Sequence, residues 1–137
     1  MENINNMLII DATNSALGRL ASFAAKQALL GKSIIILNCE NVLISGNRKS
    51  IIEKYKQAKA RGSHNLKGPN FPREPFRILK RTIRGMLRYK RGRGSLALKK
   101  VICYNNTPQE YENTNKIALQ KQFKVNVITL KELSQIL

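Results

Sequence analysis

Two apolar tetrads bracket a helix-patterned segment near the start of the chain, and this arrangement limits the fold more than any other feature. Met7-Leu8-Ile9-Ile10 is a short, uninterrupted apolar run, as a strand buried on both faces requires, and Ile34-Ile35-Ile36-Leu37 is a second. Between them, Asp11 to Ser15 supplies turn and cap residues. Leu17, Leu20, Ala21, Ala24 and Ala28 then recur on one helical face. Gly31 stands where a left-handed residue would stop that helix. Strand, helix, strand with short connections is a βαβ unit, and its two strands run parallel. The alanines let the helix sit close to the sheet.

The rest of the pattern extends this unit. Val42-Leu43-Ile44 is a short extended stretch, followed by a Ser45-Gly46-Asn47 turn with Asn47 placed to cap a second helix. Ile51, Tyr55 and Ala58 form that helix's apolar face, with Lys54, Lys56 and Lys59 outside it. Further on, Leu96 to Lys100 reads as a short helix, Val101 to Tyr104 as a strand, and 105–112 as turns. Thr129-Leu130-Lys131-Glu132 is a capping box, flanked by Ile128 and Leu133 at the hydrophobic-staple positions, and it opens a final helix from Leu130 to Ile136. No internal repeat occurs. A chain of 137 residues fits one domain, 1–137. The expected fold is α/β: a three-layer α/β/α arrangement on a small, mostly parallel sheet, with an irregular basic arm.

Charge is segregated along the chain. Residues 48–100 carry 18 of the 25 Lys and Arg and only two acids, Glu53 and Glu74. Nearly all of the formal net charge of +17 therefore sits in the middle of the sequence. Charge placed only for solubility would mix signs, and self-repulsion of this size is relieved by a polyanion. Within this stretch, 61–75 holds Gly62, Gly68, Pro69, Pro72 and Pro75 and few aliphatics, so it reads as a long irregular arm. The next helix, placed from Phe76 to Arg88, has an apolar stripe of Phe76, Leu79, Ile83 and Met86 or Leu87. Arg77, Lys80, Arg81, Arg84 and Arg88 fall between about 40° and 140° of Phe76, a cationic face with no acid on it. Tyr89 to Ser95 continues the charge into a flexible, glycine-containing loop.

These features favour folded RNA over duplex DNA. Arg and Lys neutralise phosphates and release counterions, Arg stacks on bases and makes forked bonds to phosphate, and an irregular arm suits crevices and splayed bases. The residues expected to touch RNA are Arg48 and Lys49 at the second helix, and Arg61, His64, Lys67 and Arg73 in the arm. Arg77, Lys80, Arg81, Arg84 and Arg88 on the cationic face join them, with Lys90, Arg91 and Arg93 in the loop.

Enzyme chemistry finds little footing. Gly31-Lys32-Ser33 looks like the end of a P-loop, but Lys26 stands where the earlier glycine is needed, and the triplet follows a helix instead of preceding one. The first βα turn has no G-x-G-x-x-G. Asp11 ends the first strand, where it serves as an ordinary turn residue. His64 has no Asp or Cys near it in sequence, and stacking or phosphate contact suits it better than acid–base work. Cys39 and Cys103 are read as reduced thiols on buried strands, and with one His they make no usual zinc spacing. No cofactor, metal or small-molecule substrate is expected. Met1 to Met7 lacks a leader pattern and no apolar run reaches the roughly 20 residues of a membrane span, so a soluble cytoplasmic protein without membrane contact is expected. An RNA-modifying or RNA-cleaving enzyme is the alternative, and it would need a cofactor loop or several converging carboxylates. A free-standing nucleic-acid-binding module is the third reading.

Several strings carry a resemblance. Ile10-Asp11-Ala12 stands with Leu17-Gly18-Arg19-Leu20-Ala21, and Ile44-Ser45-Gly46-Asn47 follows. Arg61-Gly62-Ser63, Gly68-Pro69, Phe71-Pro72-Arg73 and Pro75 precede Arg77-Ile78-Leu79-Lys80-Arg81-Thr82-Ile83-Arg84-Gly85-Met86-Leu87, then Arg93-Gly94 and Ala97-Leu98. Together they resemble the ribosomal protein L13 family of the large subunit over roughly 8–104, with the archaeal branch nearest and the eukaryotic next. The resemblance implies a structural role on large-subunit ribosomal RNA, beside neighbouring large-subunit proteins, in the cytoplasm. The family usually has proline after Met-Leu; Arg88 stands there instead, which would let the helix run on. Residues 105–125 match poorly.

Overall fold

The βαβ unit forms as its pattern requires, but the first tetrad is not buried on both faces: Met7 is exposed, Leu8 and Ile9 are half-buried, and of the four only Ile10 is buried. In the structure, a computed structural model that describes residues 6–61, 70–120 and 122–137, β1 (Met7–Asp11) and β2 (Ser33–Leu37) pair in parallel, Ile9 opposite Ile35. Between them α1 (Leu17–Leu29) buries Leu17, Leu20, Ala21, Ala24, Ala25 and Ala28. Gly31, at φ +93°, ends it. Its N–H donates to Ala28 O (3.0 Å) and that of Lys32 to Gln27 O (3.2 Å), the paired bonds of a Schellman cap.

The main sheet has four strands in the order β4-β2-β1-β5, all parallel, with β4 spanning Val101–Cys103 and β5 Ile117–Ala118. This is the α/β fold with a mostly parallel sheet that the sequence predicts. Both faces of β2 are buried: Ile34 and Ile36 join the helix-packed core, and Ile35 and Leu37 are buried outside it. A second, two-stranded sheet pairs β3 (Leu43–Ser45) with β6 (Val127–Thr129) in antiparallel register. Its Ile128, together with Leu130 and Leu133 of α5 (Leu130–Ile136), belongs to the same core as α1.

Asp11 acts at the turn, and α1 takes no side-chain cap. Its Oδ1 accepts from the Thr13 N–H (3.1 Å), the Thr13 hydroxyl (2.8 Å) and Asn38 Nδ2 (3.0 Å). Burial alone raises this carboxyl's pKa; the bonds from Asn38 and Thr13, with the charge of Lys116, outweigh it and hold the pKa below the ordinary value. A depressed carboxylate contributes stability above its unfolded pKa and loses it as pH falls through the folded one. Asp11→Ala should therefore cost about 1–3 kcal/mol in urea unfolding at neutral pH. The deficit should shrink toward acid, and a deficit independent of pH would assign the loss to packing.

Two local expectations need correction. Cys39 lies in a single 3-10 turn after β2 and not on a strand, while Cys103 is on β4; both are free thiols. A hydrogen bond with Cys103, then burial, pushes the Cys39 thiol up, away from thiolate chemistry. The capping box closes on one side only: the Glu132 N–H donates to Thr129 Oγ1 (3.2 Å), but the Glu132 carboxylate accepts from Arg48 instead of reaching back. Among the described residues, no helix is long and apolar enough to cross a membrane.

Candidate nucleic-acid interface

The cationic surface is built on α3 (Pro75–Gly85). Pro75 is the first helical residue, a position where its missing N–H costs nothing, so the arm ends one residue earlier than its prolines suggest. The first turn is capped from afar: Asn105 Oδ1 accepts from the Phe76 N–H (3.0 Å). Pro75, Ile78, Leu79 and Ile83 are buried, and Phe76 is only partly so. The buried arc is therefore wider than the expected stripe and includes Ile78. Arg77, Lys80, Arg81 and Arg84 occupy what remains.

The helix ends at Gly85 and does not run on to Arg88. The N–H groups of Met86 and Leu87 reach back only three residues, to Ile83 O (3.0 Å) and Arg84 O (3.1 Å). Met86, expected in the apolar stripe, is exposed, while Leu87 folds back into the core. Residues 86–91 form a turn, so the chain bends here without a proline. The expected glycine loop is mostly helical: α4 runs Gly92–Lys99 and includes Arg93.

The cations divide into two groups. One is held by the chain itself. Lys80 Nζ donates to Val101 O (2.7 Å), Arg93 Nη2 to Leu29 O at the end of α1 (3.0 Å), and Arg73 Nε to Ser134 O in α5 (2.8 Å). Arg48 forms an exposed ion pair with Glu132 (3.2 Å). The other group lies around α3 and its turn. The Arg81 guanidinium sits 4.7 Å from the centroid of the Phe71 ring, whose edge meets Tyr55 at 5.4 Å. That of Arg84 sits 4.9 Å from Tyr89. Arg77 pairs with Glu74 (3.4 Å), so one acid does stand beside the stripe, in an exposed pair of little strength. Asn70, Pro72, Arg77, Lys80, Arg81, Arg84 and Leu98 line a cavity of about 340 Å³. Lys54 of α2 (Arg48–Ala60) and Arg81 line a smaller one of about 240 Å³, which joins the two helices' cationic sides.

Arg88, Lys90 and Arg91 are exposed on the turn; Lys49 and Arg61 are exposed at the two ends of α2. His64 and Lys67 lie outside the described residues. Phe71 and Tyr89, whose rings orient Arg81 and Arg84, are not among the residues that charge alone marks. Aromatics interleaved with arginines were the available signal. Among the described residues, no group of three His, Cys, Asp or Glu could hold a metal ion. The surface can neutralise phosphates and stack on bases.

The family model for ribosomal protein L13 matches residues 5–110. The chain is 47% identical to the large ribosomal subunit protein uL13 of Methanosarcina barkeri over 82% of its own length and 81% of the relative's. It is 42% identical to that of Picrophilus torridus over 96% of both chains. It is 39% identical to that of Archaeoglobus fulgidus over 97% of its own length and 88% of the relative's. These relatives are archaeal, the branch the resemblance points to.

Proposed function

This chain belongs to the ribosomal protein L13 family, and from that premise we propose that it is a structural constituent of the large ribosomal subunit, holding folded ribosomal RNA against α3 and the turn after it. The observation that carries the reading is the Arg77–Arg81–Arg84 surface, where stacked guanidinium groups line a cavity and residues 75–109 contain no acid. Phosphates would be neutralised by Arg77, Arg81, Arg84, Arg88, Lys90 and Arg91. Lys49 and Arg61 extend the contact along α2, with His64 and Lys67 between that helix and the next. Arg48, Lys80, Arg73 and Arg93 serve the fold first and reach RNA only with what their own bonds leave free. Neighbouring large-subunit proteins are the expected protein partners. The family is one of structural ribosomal proteins, and the enzyme alternative falls with that.

Salt titration tests the reading. Contact with about six to ten phosphates gives a log–log slope of affinity against salt of roughly −4 to −9. The protein should also co-sediment with large subunits at moderate salt and be stripped at high salt. A slope near zero would remove the electrostatic basis of the proposal.

A further inference from the structure

The turn after α3 encloses an open cavity of about 300 Å³ lined by Leu87, Arg88, Tyr89, Lys90 and Arg91. Its character differs from that of the cationic cavity beside the helix. Leu87 is buried and forms an apolar wall, and Tyr89 remains 38% exposed. Arg84 lies against the Tyr89 ring at 4.9 Å, and Lys90 approaches it more loosely, at 5.9 Å. The turn's own bonds run from the Tyr89 N–H to Leu87 O (2.9 Å) and from the Arg91 N–H to Arg88 O (3.2 Å). The described residues offer no acceptor to the Lys90 N–H, whereas the Arg88 backbone packs against Gly94. An apolar wall, an exposed ring, three exposed cations and one unused donor meet in one turn.

We propose that this cavity receives a single unstacked nucleobase, laid on the Tyr89 ring, with the phosphates on either side held by Arg88, Lys90, Arg91 and the free Lys90 N–H. The proposal rests on the reading that the chain binds folded RNA, and it names what one part of that surface recognises. A base on an aromatic ring is a stronger contact than an exposed cation over the same ring, so the base displaces Lys90 and frees it for phosphate. A base inside a helical stack has both faces covered and cannot enter, so the site selects bulges and loops over paired RNA. An apolar side chain from a protein would fill the same volume but bring no negative charge to these cations.

Three RNA hairpins of equal phosphate count test this on the full chain: one fully paired, one with a single bulged adenosine, and one whose bulged nucleotide lacks its base. The bulged hairpin should bind about tenfold more tightly than the other two. Tyr89→Ala should erase that preference, with any loss from a less well oriented Arg84 shared equally by the three hairpins, and Tyr89→Phe should keep it. Equal binding of the bulged and abasic hairpins by the unmodified protein would overturn the pocket, as would a bulge preference that survives Tyr89→Ala. Steep salt dependence without base preference would remove the pocket alone; flat salt dependence would remove the RNA reading beneath it.

Discussion

Changing Arg77, Arg81 and Arg84 together to Glu should reduce affinity for large-subunit ribosomal RNA on the order of a thousandfold or more while leaving the chain folded. Each charge-assisted contact is worth about 1.5–3 kcal/mol, and reversal adds repulsion where attraction was. The salt slope should become shallower by about two to three units, since each phosphate contact contributes nearly one. The fold should survive because these side chains support little of it. Arg77 makes an exposed ion pair, Arg81 and Arg84 make surface cation–π contacts worth about 0.5–1 kcal/mol each, and Arg81 adds one long, exposed hydrogen bond to Asn70 O (3.5 Å). Far-UV circular dichroism and subunit co-sedimentation check both halves. Loss of the helical signal would mean that the face is structural. Lys80→Ala is the informative contrast: the residue shares the stripe by spacing, but its bond to Val101 O should make stability, more than RNA affinity, the quantity that falls.

That contrast marks the limit of what the sequence makes legible. Elements fixed by local chemistry are readable: Gly31 ends α1, Asn47 caps α2 by accepting from the Lys49 N–H, and Thr129 caps α5. The alanine face of α1 lies where its periodicity puts it, and the two tetrads form paired parallel strands, although only that of β2 is buried on both faces. Contacts across long sequence separations are not readable. Arg93 reaches a carbonyl 64 residues away, and Arg73 one 61 residues away, so nothing near either separates a capping cation from a free one. β5 and β6, at two and three residues, are too short to show a period and exist because β1 and β3 offer them edges. The end of α3 was misplaced because Arg88 lies on the extension of the cationic stripe, although the backbone leaves the helix at Gly85.

Gly94→Ala should be among the most damaging single substitutions in the chain. Glycine between an arginine and a serine reads as a loop, yet Gly94 is buried in the first turn of α4. A Cβ there would meet the Arg88 carbonyl oxygen and lie 2.5 Å from its carbon and 2.8 Å from the Arg88 nitrogen. All three are backbone atoms, so no rotamer change relieves the clash, and either the turn or α4 must move. Overpacking of this kind costs about 3 kcal/mol, and Tm should fall by roughly 10 °C. RNA affinity should fall as well, because the displaced turn carries Arg88, Lys90 and Arg91. Gly85→Ala is the control: it lies in α3 with nothing within 4 Å of the added carbon, so the gain in helix propensity should stabilise the protein by about 0.5–1 kcal/mol. The two substitutions add the same methyl group within ten residues of each other, and the opposite signs would come from one difference, the backbone of Arg88 pressed against Gly94. A neutral Gly94→Ala would mean that this backbone contact does not hold the turn in place.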